Sequence, residues 1–203
     1  MRRIALTGNI ASGKSTVAGV WREAGAHIVD ADALAREAVA PGSDGLDRIV
    51  EHFGRDVLHP DGTLDRAAMR RLVFLDPGQR KALEAILHPR IERLREKRDA
   101  RLEADGVRLV VHVIPLLFEA GLADRFDDIV LVDARESLRR ERLLVARGLT
   151  GEEADRMIAA QLPTGPKRAR ATLVIDNDDT IATLERRAAE AWRVLCRRAE
   201  ACA

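Results

Sequence analysis

Cysteine is nearly missing from this chain of 203 residues. Cys196 and Cys202, both in the last eight residues, are its only two, which excludes a disulfide framework or a cysteine-built zinc site. They read as a spare pair of thiols on a terminal helix. Net charge is missing too. Lys and Arg number 34 against 33 Asp and Glu, leaving +1, so no global field draws the molecule to nucleic acid or membrane, and any anion site is local. No apolar run approaches the roughly 18 residues of a membrane span, and the apolar run in "MRRIALTGNI" is too short for a signal peptide. A cytoplasmic protein is expected. Internal repeats and low-complexity stretches are absent as well. What remains, at 46% apolar and 33% charged residues, is one globular domain, or one carrying an inserted lobe, with a sizeable core.

Short apolar or β-branched runs at 4–7, 27–29, 109–114, 129–132 and 173–175 alternate with longer stretches of helical spacing. That rhythm predicts a parallel sheet with crossover helices, an α/β three-layer core. "RLVVHVI" and "DIVLVDA" are apolar at nearly every position, as strands covered on both faces are. Residues 41–105 break the rhythm with helical segments and no convincing strand, a helical insertion punctuated by "PGSDG", "PDG" and "DPG". In the last, Asp76 caps a helix with Pro77 at its first position, and a charged helix from Pro89 returns the chain to the sheet. After the fourth strand, "DARE" at 133–136 reads as a D-x-x-E capping box, Gly148 ends that helix, and "TGEE" starts another. Arg135, Arg139 and Arg142 share one face of this hairpin, a basic lid over residues 135–170.

Gly8-Asn-Ile-Ala-Ser-Gly13-Lys14-Ser15 fits G-x-x-x-x-G-K-[ST], with a strand before it and a helix after it. The glycines let successive N–H groups turn inward at a phosphate, where a Cβ would obstruct. The helix N-terminus adds partial positive charge. Lys14 spans β- and γ-phosphates, and the Ser15 hydroxyl takes a place on Mg²⁺. A nucleoside triphosphate is implied, but not its use. "IVDADALAR" ends the second strand with Asp30 and Asp32 at the sheet's carboxyl edge. If the strand continues, their spacing sets both on one side, where a carboxylate can take the proton of an attacking hydroxyl; alternatively one of them merely caps the following helix. The arginines, Arg142 foremost, are the cations for charge developing on the γ-oxygens. A GTPase would carry N-K-x-D and D-x-x-G signatures, and neither occurs.

Together these segments resemble the dephospho-coenzyme A kinases over nearly the whole chain. "LTGNIASGKSTV" resembles the family's phosphate loop, implying nucleotide contacts from Gly8, Ala11, Ser12, Gly13, Lys14, Ser15 and Thr16. "IVDADALAR" is similar to its V-I-D-A-D segment, which makes Asp32 the base. "ILHPRI" matches a His-Pro at a helix start in the substrate lobe, and "IPLLFEAGL" a P-L-L-F-E segment; these imply substrate contacts from His88, Leu116 and Glu119, the last also a candidate partner for a lid arginine. "ERLLVARGLT" resembles the lid arginine pair, Arg142 and Arg147, with Arg139 beside them. "AAQ" and "KRARATLVIDN" resemble the Q…K…V-I-D-N closure, with Asn177 toward the ATP adenine. Val113 stands where many members carry an acid, and Thr172 where an aspartate is common. The resemblance implies a P-loop kinase fold with a five-stranded parallel sheet, and transfer from ATP to the ribose 3′-hydroxyl of dephospho-coenzyme A with Mg²⁺. Asp32, Lys14 and Arg142 carry catalysis in that reading. The expected partners are ATP and dephospho-coenzyme A, with no nucleic acid or membrane, and the expected state is a monomer or weak homo-oligomer. Another small-molecule kinase such as a shikimate kinase, or a non-catalytic nucleotide switch, are the competing readings.

Overall fold

Five strands, β1 (Arg2–Thr7), β2 (His27–Asp30), β3 (Leu109–Val113), β4 (Asp128–Asp133) and β5 (Leu173–Asp176), form one sheet of order β2-β3-β1-β4-β5. Every pairing is parallel. The computed structural model describes residues 1–201 except the side chains of Leu75 and Ala201, so Cys202 lies outside the described residues. All five residues of β3 and the first five of β4 are buried, the both-faces-covered pattern their sequences predict. β1 lies between β3 and β4, so the loop leaving its carboxyl end stands where chain direction across the sheet reverses, the usual ligand position in open α/β sheets.

The chain divides into two compact units, one of residues 1–30 with 103–203, the other of residues 31–102. In the first, α1 (Lys14–Glu23) and α9 (Ile181–Ala201) cover one face of the sheet. Ile4, Leu6, Val111, Val130 and Val132 meet Val17, Trp21, Leu184 and Leu195 there. Trp21 is fully buried; its Nε1 donates to the Ala188 carbonyl at 2.8 Å and its ring lies 5.6 Å from that of Trp192. Cys196, on α9, is a half-buried free thiol whose pKa burial and the nearby Glu200 push up. Ala5, Ile129 and Leu131 point to the opposite face and are buried as well.

Three helices follow β4 and precede β5: α6 (Glu136–Arg147), α7 (Gly151–Ala159) and α8 (Thr164–Arg170). The expected D-x-x-E box at 133–136 does not form. Asp133 is still strand, and its carboxylate accepts from Arg168 at 2.6 Å. The residue before α6 is Arg135, whose N–H is accepted at 2.8 Å by Asp178, a cap delivered from the far side of β5. Gly148 ends α6 at φ 61°, and Thr150 and Glu153 make a reciprocal capping box for α7. Arg140 binds Asp155 through two hydrogen bonds, 2.6 and 3.1 Å, fastening α6 to α7. Arg168 ties α8 to Asp133 and Asp176 at the ends of β4 and β5, and these bonds, Asp176 first, raise its pKa. Thr172 exchanges bonds with Ile129 through its N–H (2.8 Å) and hydroxyl (2.7 Å), so it extends the β4–β5 ladder.

The second unit is helical: α2 (Ala31–Glu37), α3 (Asp44–Phe53), α4 (Arg66–Leu75) and most of α5 (Pro77–Ala104). It begins at Ala31, ten residues before the expected insertion, because β2 passes directly into α2. Ser43, Asp65 and Asp76 each accept backbone N–H bonds from the first turns of α3, α4 and α5. No helix starts at the His88-Pro89 pair: α5 runs unbroken through it, with Pro89 inside. An interior proline removes one backbone bond and crowds the preceding turn, at a cost of about 3 kcal/mol. Beside it, Arg90 donates to the Ile86 carbonyl at 2.7 Å while pairing with Asp44 at 2.5 Å. Val39, Ile49, Val57 and Met69 form its small core.

Candidate active site

The loop between β1 and α1 is built by three unusual backbone angles: Gly8 at φ 151°, Ala11 at 58° and Gly13 at 101°. Glycine is required at two of them for space as well as angle. A Cβ on Gly8 would meet the Val132 carbonyl oxygen at 2.2 Å, and one on Gly13 would meet Asn177 Nδ2 at 2.4 Å. The cradle is therefore pressed against β4 and the segment after β5, a reason for its glycines beyond access to phosphate. Lys14 Nζ donates to the Gly8 (2.6 Å) and Asn9 (3.1 Å) carbonyls, curling over the loop. Ser12 Oγ is buried and has no hydrogen-bond partner. Ser15 is exposed at the start of α1, and Thr16 is half-buried with its N–H on the Gly13 carbonyl.

Asn177 and Arg142 complete one side of the cradle. Asn177 is buried; its Nδ2 donates to the Ser12 carbonyl at 2.8 Å and its backbone N–H to Asp133 at 2.7 Å. Arg142 reaches from α6 to the Ala11 carbonyl (3.2 Å) and to the Asn177 carbonyl (2.9 Å). Among the described residues, this guanidinium at the cradle has only neutral oxygens as its hydrogen-bond acceptors, a state that favours exchange for anionic phosphate. Arg139, on the same helix, is buried and lines a cavity of about 700 Å³ together with Asn9, Gln161 and Thr164. Its Nε donates to Ala134 at 3.1 Å while Nη1 has no hydrogen-bond partner. Arg147 is exposed at the end of α6.

The other side of the cradle is gripped by residues the sequence reading carried only as letters of the Q…K closure. Gln161 Oε1 accepts the Ile10 N–H at 2.7 Å, and Lys167, fully buried, binds Asn9 Oδ1 at 2.5 Å and Glu119 Oε1 at 2.6 Å. Glu119 therefore meets a lysine, and no arginine, from this segment. Burial works to raise the Glu119 carboxyl, but hydrogen bonds from Lys167 and from the backbone of Glu119 and Leu162, with the Lys167 charge, hold it below its ordinary value. Leu116 is exposed on the turn after β3, while Val113 is buried at the end of that strand.

β2 stops at Asp30, so strand alternation does not extend to Asp32. Asp32 is the second residue of α2, exposed, in a first turn where the helix dipole favours a carboxylate. His88 is exposed on α5. Both belong to the second unit.

A glycine cradle at the end of a central parallel strand, with a lysine folded over it and an arginine from the helix after the fourth strand, defines a P-loop nucleotide-binding protein. Comparison with known proteins narrows this class. The profile described as dephospho-CoA kinase matches residues 2–183. The dephospho-CoA kinase of Anaeromyxobacter dehalogenans is 51% identical over 87% of this chain and 84% of its own length. That of Geobacter sulfurreducens is 46% identical over 95% and 98%. The crystal structure of TT1252 from Thermus thermophilus superposes with a TM-score of 0.81 at 42% identity, covering 97% of both chains. The chain belongs to the dephospho-CoA kinase family.

Proposed function

We propose that this protein transfers the γ-phosphoryl group of ATP to the ribose 3′-hydroxyl of dephospho-coenzyme A, the last step of coenzyme A synthesis. The observation that carries the reading is the cradle itself, already shaped by Gly8, Ala11 and Gly13 and held between Asn177 and Gln161. In the reaction the acceptor oxygen forms a bond to phosphorus as the bond to the ADP oxygen breaks, and the hydroxyl proton passes to Asp32. Such a transition state is loose, and its charge spreads over the γ-oxygens. Lys14 and Arg142 neutralise that charge, with Arg139 and Arg147 as further lid cations. The exposed Ser15 hydroxyl beside the cradle suits a Mg²⁺ ion that keeps water and phosphate oxygens as its other ligands; bound there, the ion neutralises phosphate charge. Asn177 faces the adenine, and His88 and Leu116 serve the acceptor.

Among the described residues no helix is long and apolar enough to cross a membrane. A cytoplasmic enzyme working as a monomer or weak homo-oligomer on two soluble substrates, without nucleic acid or membrane, fits this reading. ADP release from Mg-ATP, measured with dephospho-coenzyme A, shikimate, adenosine and AMP as parallel acceptors, tests it. Turnover specific to dephospho-coenzyme A, with the new phosphate on the ribose 3′-oxygen, is expected. Turnover confined to another acceptor, or ATP binding with no transfer, would overturn it.

A further inference from the structure

Asn9, the second residue of the cradle, has every polar atom of its side chain engaged. Its Oδ1 accepts from Lys167 at 2.5 Å, while its Nδ2 donates to the Leu162 carbonyl (3.4 Å) and to Thr164 Oγ1 (3.2 Å). Lys167 donates to Asn9 and Glu119 and is 1% exposed, so its ammonium is held by protein oxygens. Glu119 Oε1 accepts both Lys167 and the Leu162 N–H (3.1 Å), and Glu119 Oε2 is buried with no hydrogen-bond partner. One ion pair, its lysine buried and its carboxylate half-buried, thus fastens three stretches of chain: the phosphate cradle, the turn after β3, and the 161–167 segment that also holds the Ile10 N–H through Gln161.

We infer that Lys167 and Glu119 are positioning residues for phosphoryl transfer, acting through Asn9 to hold the first half of the cradle in its phosphate-binding shape before nucleotide arrives. Removing one partner leaves a buried charge uncompensated and frees Asn9 to turn. The cradle N–H groups, useful only while they converge, then lose their preorganisation. Lys167 needs no contact with ATP for this. Glu119 acts on the nucleotide side, not on the acceptor. The inference rests on the cradle being the ATP-phosphate site.

Mg-ADP calorimetry on the unaltered protein checks that premise separately, since it does not depend on which acceptor is used. The inference is then tested with Lys167→Met and Glu119→Gln, singly and together, the second keeping an oxygen for the Leu162 N–H should the first fail to fold. Three readouts are taken: Mg-ADP affinity, KM for each substrate, and amide hydrogen exchange of the ligand-free protein. Each single variant is expected to weaken Mg-ADP binding about tenfold, and the double variant no more than the weaker single. Exchange at the Ile10 amide speeds at least as much while β1 and β4 amides keep their protection, which general destabilisation would not produce. KM for dephospho-coenzyme A stays within about twofold. Unchanged Ile10 exchange with unchanged nucleotide affinity would overturn the inference, as would a Glu119→Gln effect confined to the KM for dephospho-coenzyme A.

Discussion

The two units hold their candidate residues in opposite ways. In the first, Lys14, Asn177 and Arg142 are all tied by hydrogen bonds to the cradle or to each other. They stand on a sheet in which all of β3, the last four residues of β1 and the first five of β4 are buried. In the second, Asp32 and His88 lie exposed on helices over a small core around Val39, Ile49, Val57 and Met69. Phe74, in the same unit, is 80% exposed. On the proposed reading, the nucleotide side is prebuilt by the fold, whereas the acceptor side carries its chemistry on surface positions. A kinase needs that asymmetry. The triphosphate must meet fixed N–H dipoles, while a large acceptor must be able to enter and leave.

Variants that act on one side only sharpen the comparison. Asp32→Asn removes the proposed base without changing its size and is expected to lower kcat by about 10²–10⁴, measured by ADP release at saturating substrates. Lys14→Met removes the charge over the cradle. Its kcat should fall by on the order of 10²–10³, and Mg-ADP binding should weaken with it, since the lysine serves ground and transition states alike. Arg142→Ala is expected to lower kcat about tenfold or more with a smaller loss of ATP binding. A normal kcat with a large KM increase would move Arg142 to simple nucleotide binding. His88→Ala has the smallest effect. The loss of one exposed hydrogen bond, about 1 kcal/mol, should raise KM for dephospho-coenzyme A about fivefold, leave KM for ATP unchanged, and shift stability by less than about 0.5 kcal/mol.

What was legible in the sequence follows the same division between local and distant causes. β3 and β4 announce themselves because two-sided burial demands unbroken apolar runs, and the cradle does so because its glycines and lysine fall within eight residues. Asp76 and Thr150 were readable as caps because each acts within three residues of itself. The cap on α6 was not, since Asp178 reaches Arg135 from 43 residues away. Lys167 and Asn9 are 158 residues apart in sequence, and only folding makes them partners; the sole hint was a glutamine and a lysine at fixed spacing before the last strand. Pro89 misled for a physical reason: a proline normally marks a boundary, but an interior one is a local cost that a long helix can carry, and α5 runs on through it.

The central claim, a nucleotide site complete without the acceptor side, is tested most directly by calorimetry of Mg-ADP binding to Asp32→Asn and Lys14→Met beside the unaltered protein. The account predicts that Asp32→Asn binds as tightly as the unaltered protein while its turnover is nearly gone, and that Lys14→Met loses both. Affinity that falls in Asp32→Asn together with its turnover would contradict it.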